Sequence, residues 1–422
     1  MVDFRKALLV LAVLVFATGI ASAQLVNPLQ CVASSGVPPI ARAEGVAEEV
    51  GQVIIRCTGG TPTPLGAPIS TVNVQIFLNT NVTSRLLTSG DTDSEALLMI
   101  DEPQPGMQYL ATSNPPYALK VPAWGGGIYN PGPGRPNMFL GQQAGSNSIV
   151  WLNVPFDPPG TTPNRVIRLA NVRANANQLG VSSTLIPTAI NMFISISGTG
   201  SLALTNPQLT VAYVQLGMKF TATSATWNQC EPGTYQYDVK FSEMFGTAFR
   251  HKDSGLIAQD VPGRIYNTES MFYSLDSNVL PAAVGRATQG TRLIARCSNV
   301  PANVSISVPV YTTGTPYTNS DGDQVITVLA STDGSTVASD GSVALTGGAG
   351  AAVFEVIASN PGAISSVQIP VSVKYVSNPL PGLGTATVTG NYAPTTTVFT
   401  ASSSAPVPRF VDNPQSATTF TI

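Results

Sequence analysis

The chain carries one histidine, His251, and four cysteines in 422 residues. Without a second histidine, His-rich zinc sites are excluded, and a Ser-His-Asp triad would have to rest on that one imidazole. The cysteine spacings match neither a zinc ribbon nor a C-x-x-C redox motif. No G-x-S-x-G elbow, phosphate-binding loop, H-E-x-x-H pair or dinucleotide fingerprint occurs. Charge is also scarce: 10% of residues are Asp, Glu, Lys or Arg, against roughly 25% in an average soluble domain. The 20 basic residues are scattered and outnumbered by 23 acids, so no basic field exists to hold nucleic acid. A net charge of −3 instead tolerates close contact between copies, because little repulsion keeps them apart.

Long apolar runs are limited to one. ALLVLAVLVFATGI (7–20) follows Arg5 and Lys6 and ends in Ala21-Ser22-Ala23, the pattern of a secretory signal peptide (1–23) cleaved after Ala23. The run is too short to span a bilayer comfortably, and no later stretch reads as a transmembrane helix, so the mature chain is expected outside the cell or at its surface. Export brings an oxidising environment, in which Cys31, Cys57, Cys230 and Cys297 are suited to disulfides. Three connectivities exist. Cys31–Cys57 with Cys230–Cys297 is favoured, since each pair joins a cysteine near the start of one half to a cysteine ending a strand.

What the sequence has in quantity is turn formers, 38 Gly and 34 Pro, around short alternating apolar runs. VNVQIFLN (72–79), 191–197, 209–214, 304–310 and 352–357 are period-two strands bounded by Gly, Pro, Asn or Ser. Asp333-Gly334 and Asp340-Gly341 suit the tight turns of hairpins. Many short strands joined by turns predict an all-β protein; the length fits two or three domains, and the reading taken is two immunoglobulin-like or related β-sandwich domains. VIIRC (53–57) and LIARC (293–297) echo one another and suggest related halves. The first domain is placed at 24–222, with a Pro/Gly-rich insertion at 104–136, and the second at 286–422. Residues 223–285 read as a connector with a short helix over SEMFGTAFRHK (242–252). Phe241, Phe245 and Phe249 recur every four residues there, Ser242 can N-cap, and Arg250 and Lys252 suit the negative helix end. The closing run SATTFTI (416–422) is expected as a terminal strand packed in its own sandwich.

Several phrases taken together, RAEGVAEEVGQVIIRCTGGTPTP (42–64), VNVQIFLNTNVTSRLL (72–87), SEALLMIDEP (94–103), VKFSEMFGTAFR (239–250), YNTES (266–270) and SSSAPVPRFVDN (402–413), resemble a group of uncharacterised secreted all-β proteins of environmental bacteria. VALTGGAGAAVFEVIASNPG (343–362) also looks like the strand–turn–strand of bacterial immunoglobulin-like domains. The resemblance implies export and an all-β build, and it assigns no site.

Candidate chemistry is sparse. Asp91, Asp93 and Glu95, and again Asp321 and Asp323, place oxygen ligands at alternate positions that a tight loop could fold around structural calcium; solvated turns are the alternative. No other cofactor is implied. Trp124 and Tyr129 flank a glycine run in the insertion, where rings could stack on sugars or a protein partner, or fold back over the sheet. A glycosidase needs two carboxylates, for which Asp101, Glu102 and Glu243 are the candidates. The expectation is a non-enzymatic secreted protein, structural or adhesive, whose partners are copies of itself or a surface polysaccharide or protein. A carbohydrate-binding module is the alternative, and a secreted hydrolase stands behind it.

Overall fold

The computed structural model describes residues 28–103, 107, 109–111, 131–132, 135–181, 186–198, 202–223, 225–226, 233–250, 290–312, 325–330, 337–359, 362–375, 385–405 and 409–421. Residues 1–23, expected as a leader, therefore lie outside the described residues. The protein is all-β: strands dominate, and among the described residues the one helical element is a single 3-10 turn, Asn177–Leu179. No helix there is long and apolar enough to cross a membrane.

The first half is one eleven-stranded sheet that folds over on itself. Alternation builds it: in Thr71–Leu78 every second side chain (Val72, Val74, Ile76, Leu78) is buried, and the residues between face outward. Inward residues from both ends of the sheet, Cys31, Val53 and Ile55 on one side and Ile190, Ile194 and Val211 on the other, share one core around Trp151. The edges meet through the segment that begins the fold. Gln30–Ser35 pairs with Val53–Gly59, while Ile40–Arg42 pairs with the far strand, Gln208–Gln215. The Ser35 hydroxyl donates to Thr210 O (3.1 Å) and Gly51 N–H to Val211 O (2.7 Å), which ties the two ends together.

The second half is a sandwich of a five-stranded and a six-stranded sheet. Tyr237, Val239 and Phe241 of Gly233–Glu243 and the alternate residues Val367 to Val373 of Ser366–Tyr375 face Leu293, Phe354, Val356 and Val388 from the opposite sheet. The closing strand, Gln415–Thr421, pairs antiparallel with Thr385–Ala393 at a sheet edge, as expected of a strand packed in its own sandwich.

Three expectations need correction. First, the helix over 242–252 does not form: Gly233–Glu243 runs as a strand through Ser242, and turns follow up to Phe249. The Phe period is real, since Phe241, Phe245 and Phe249 are all buried, yet alternation from Tyr237 to Phe241 and ten paired positions on Ser366–Tyr375 outweigh a four-residue spacing. His251 and Lys252 lie outside the described residues. Second, the connector expected over 223–285 gives up Gly233–Glu243 to the second sandwich, and the first domain expected over 24–222 gives up Met218–Ala222. Met218–Ala222 and Gly233–Glu243 are strands of the second sandwich, and their side chains belong to its core. Third, Cys297 is a buried free thiol. The two echoed strands do end alike, with Cys57 and Cys297 both facing inward, but the residue opposite Cys57 is Cys31, whereas Cys297 faces Gly350 and Val388. Its thiol donates to Gly350 O at 3.5 Å, and burial raises its pKa. Cys230 lies outside the described residues.

Cys31 and Cys57 are bonded, as expected. Their bridge joins directly opposed positions on neighbouring strands of one sheet, so it fixes register and closes a loop across a sequence separation of 26. Replacing Cys57 with serine is expected to cost about 3 kcal/mol, read as a shift of the urea midpoint. Peptide mapping of the unreduced, denatured and alkylated protein should recover Cys31 linked to Cys57, with Cys297 in its alkylated form.

Candidate functional site

Four neighbouring strands of the first sheet, in the order Ser148–Pro155, Thr71–Leu78, Thr188–Gly198 and Gln208–Gln215, contain no Asp, Glu, Lys, Arg or His. Their inward positions fill the core, and their outward positions form a solvent face of hydroxyls, amides, rings and the aliphatic Val150 and Leu152. Register orders that face in rows. Val150, Gln75 and Ser195 lie opposite one another in succession, as do Phe77, Phe193 and Gln208. The Phe77 and Phe193 rings are 6.4 Å apart at 43°, and Phe193 is 47% exposed. Leu152 and Tyr213 are exposed at its margins. The amide border is braced: Asn191 N–H donates to Asn79 Oδ1 (2.9 Å), Asn79 Nδ2 to Ala189 O (3.1 Å), and the Thr210 hydroxyl to Asn191 Oδ1 (3.0 Å).

One described residue of the insertion, Leu110, covers a different part of the same sheet. Leu110 packs on Leu97, Met99, Met138 and Ala170, an apolar patch on the outer side of the sheet. Trp124 and Tyr129 lie outside the described residues.

Of the sequence candidates for calcium in the first half, Asp91 and Asp93 stay near one another and Glu95 is drawn away. Asp91 Oδ1 accepts from the amides of Thr92 and Asp93, Asp93 Oδ1 accepts from Gln142, and Glu95 Oε1 is taken by Arg173 (2.7 Å) and the amide of Arg85. Strand alternation and the buried Arg173 claim Glu95, and among the described residues no three His, Cys, Asp or Glu side chains group to hold a metal ion. Asp321 and Asp323 lie outside the described residues. The carboxylate candidates do not converge either. Asp101 and Glu102, both with positive φ, turn the chain after Asp93–Ile100; Asp101 accepts from Val166 N–H and pairs with Arg165 (3.4 Å), and Glu102 pairs with Arg168. Glu243 sits in the other half, facing that half's core. A cleft of about 480 Å³ lined by Val37, Glu49, Gln52, Arg168, Thr247 and Arg250 lies where the halves approach, and Arg168 there is held by Gln52 and Glu102.

Behind these surfaces a buried polar hub joins the halves. The Arg42 guanidinium, fully buried, pairs with Glu48 (Nη2–Oε1 2.7 Å) and also donates to Ala248 O (3.3 Å) and Thr291 Oγ1 (3.2 Å). It stands 4.8 Å from the centre of the Phe410 ring and 5.6 Å from that of Tyr392. Gly217 is required beside it: a Cβ there would meet the Tyr392 hydroxyl at 2.7 Å and Arg42 Cγ at 2.8 Å. Backbone bonds continue the joint, from Val46 N–H to Arg409 O (2.9 Å) and from Val411 N–H to Glu44 O (3.0 Å). Glu243 anchors the turns that carry Ala248, accepting from Phe249 N–H (2.6 Å) and Ser365 N–H (2.9 Å). Burial pushes its carboxyl up to about 7 against the opposing pull of those amides.

Sequence reading missed both features. The uncharged face was visible as four strand segments without an ionisable group, while the hub joins residues more than 200 positions apart and leaves no local signal.

No family model matches the sequence, and no curated protein matches it. Solved structures superpose loosely: a chain described as BspA_C_mut (7% identity, 93% of this chain and 97% of that one, TM-score 0.31) and the C-terminal domain of the Streptococcus pyogenes antigen I/II-family protein AspA (9%, 94% and 99%, TM-score 0.29). The collagen adhesin CNA of S. aureus follows at 9% identity, 94% and 96% coverage and a TM-score of 0.15.

Glu48→Gln is expected to destabilise by about 3–5 kcal/mol in urea unfolding by stranding the Arg42 charge, whereas joint Arg42→Met and Glu48→Leu costs less. Glu243 supplies a pH test. A folded-state pKa raised from 4.5 to about 7 gives stability fully present below about 4.5 and lost as pH rises through about 7. The thermal midpoint of the protein should therefore fall between about pH 5 and 8, and Glu243→Gln should flatten that part of the profile.

Proposed function

We propose that the protein is a secreted, non-enzymatic contact protein, structural or adhesive, working at or outside the cell surface through the uncharged face of its first half. The observation that carries this reading is that face: four adjacent strands without one ionic group, with Phe193 and Leu152 open to solvent. Charged side chains normally dilute an exposed sheet face and keep copies and partners off it; without them, close approach costs little desolvation. The leader-like residues 1–23 support export, and so does the Cys31–Cys57 bridge, which suits an oxidising compartment.

The test has two arms. Fractionation of producing cells should find the mature chain in the medium or on the outer surface, and a wholly intracellular distribution would remove the basis of the proposal. Purified protein returned to washed cells, or concentrated and followed by light scattering, should associate. Gln75→Glu with Gln208→Glu, which place two charges on the face, should cut that association several-fold with the thermal midpoint unchanged.

A further inference from the structure

We infer that the ligand of this face is a neutral polysaccharide, gripped by the Phe77 and Phe193 rings and oriented by the amides and hydroxyls beside them; the inference rests on the contact reading above. Charge decides the class first. Nucleic acids, uronic-acid polymers and anionic lipid surfaces are bound by arrays of Lys and Arg, and the four strands contain none. A neutral polyol, with apolar C–H faces and uncharged hydroxyls, is the polymer whose electrostatics match a face that mixes amides, hydroxyls and apolar side chains and carries no ionic group on its four strands.

The distribution of groups then fits a sugar better than a protein core. Sugar rings have apolar C–H faces and hydroxyl rims, so they call for an exposed ring flanked by groups that both donate and accept. Phe193 lies between Phe77 and Gln208 across the strands, and Gln75 and Ser195 form the adjacent row on the same face. Each amide and hydroxyl can serve a hydroxyl in either sense, as donor or acceptor. Each row crosses three strands at about 4.8 Å spacing and is roughly 10 Å long, enough to touch more than one sugar ring in succession. The backbone under the face is held by strand pairing, so little backbone ordering accompanies binding.

The same sheet provides an internal comparison. Where its outer side is aliphatic, at Leu97, Met99 and Met138, the chain covers it with Leu110 and exposure falls to 1% or less. Phe193, almost half exposed, is left uncovered between Phe77 and Gln208.

The test uses the full mature chain and immobilised neutral polymers, namely cellulose, chitin, β-1,3-glucan and mannan, with polygalacturonate as the acidic control. Retention on at least one neutral polymer is expected, persisting at about 0.5 M NaCl, where exposed charge pairs are screened. Phe193→Ala should weaken it about tenfold or more, with Phe77→Ala weaker too, and neither change should lower the thermal midpoint. Retention by none of the neutral polymers, or equal retention of both Phe variants, overturns the inference. If charges on the face still abolish cell association in that case, the contact reading stands without its glycan. If Phe193→Ala instead dissolves a self-associated form, the occupant is a second copy of this chain and the glycan assignment falls.

Discussion

The relation between the two halves depends on a charge pair taken out of water, Arg42 with Glu48. Such a pair is costly to bury and is tolerable only when its remaining donors find partners. Here those partners belong to the other half: Ala248 O and Thr291 Oγ1 accept from Nη1, and the Phe410 and Tyr392 rings, stacked at 4.6 Å, lie beside the guanidinium. The pair is satisfied only while the halves are docked. The chain then reinforces the joint from its far end, where Arg85 of the first half donates to Ser403 O at 2.8 Å and residues 409–411 bond back to Glu44 and Val46.

This hub changes the meaning of the composition. Charges are few in the sequence, and the fold places five arginines, five glutamates and Asp157 in buried positions. Arg173 with Glu95 and Arg292 with Glu355 repeat the arrangement of Arg42 with Glu48 inside their own halves. The described surface is therefore poorer in charge than the sequence total suggests, and along the four strands of the uncharged face this depletion is complete.

Legibility in the sequence followed the range of the interaction. Period-two burial is local, so Val72 to Leu78 announced its strand and the all-β class could be read directly. The Cys31–Cys57 bridge was within reach because each cysteine ends or begins an apolar run near the other. The Cys297 pairing failed because pairing depends on what lies opposite, and Gly350 and Val388 are set by register across strands distant in sequence. The helix failed for the same reason: a four-residue Phe spacing fits a turn that folds back on a core as well as it fits a helix, and only the neighbouring strand decides. Glu95 looked like a calcium ligand until Arg173, 78 residues away, reached its carboxylate.

The uncharged face belongs to the readable class, yet it went unread because it is defined by what four separate segments omit. Any one of TVNVQIFL, SIVWLNVP, TAINMFISISG and QLTVAYVQ is an ordinary strand; their meaning comes from being adjacent. Alternation serves both purposes at once. The β-branched inward residues fix the register that sets Phe193 against Phe77, and the same register aligns the polar positions between them into rows. A one-residue slip would bury Gln75 and Ser195 and expose Ile76 and Ile194, so core packing and the composition of the face cannot vary independently. The stability of the first half thereby maintains the surface chemistry on which its proposed activity rests.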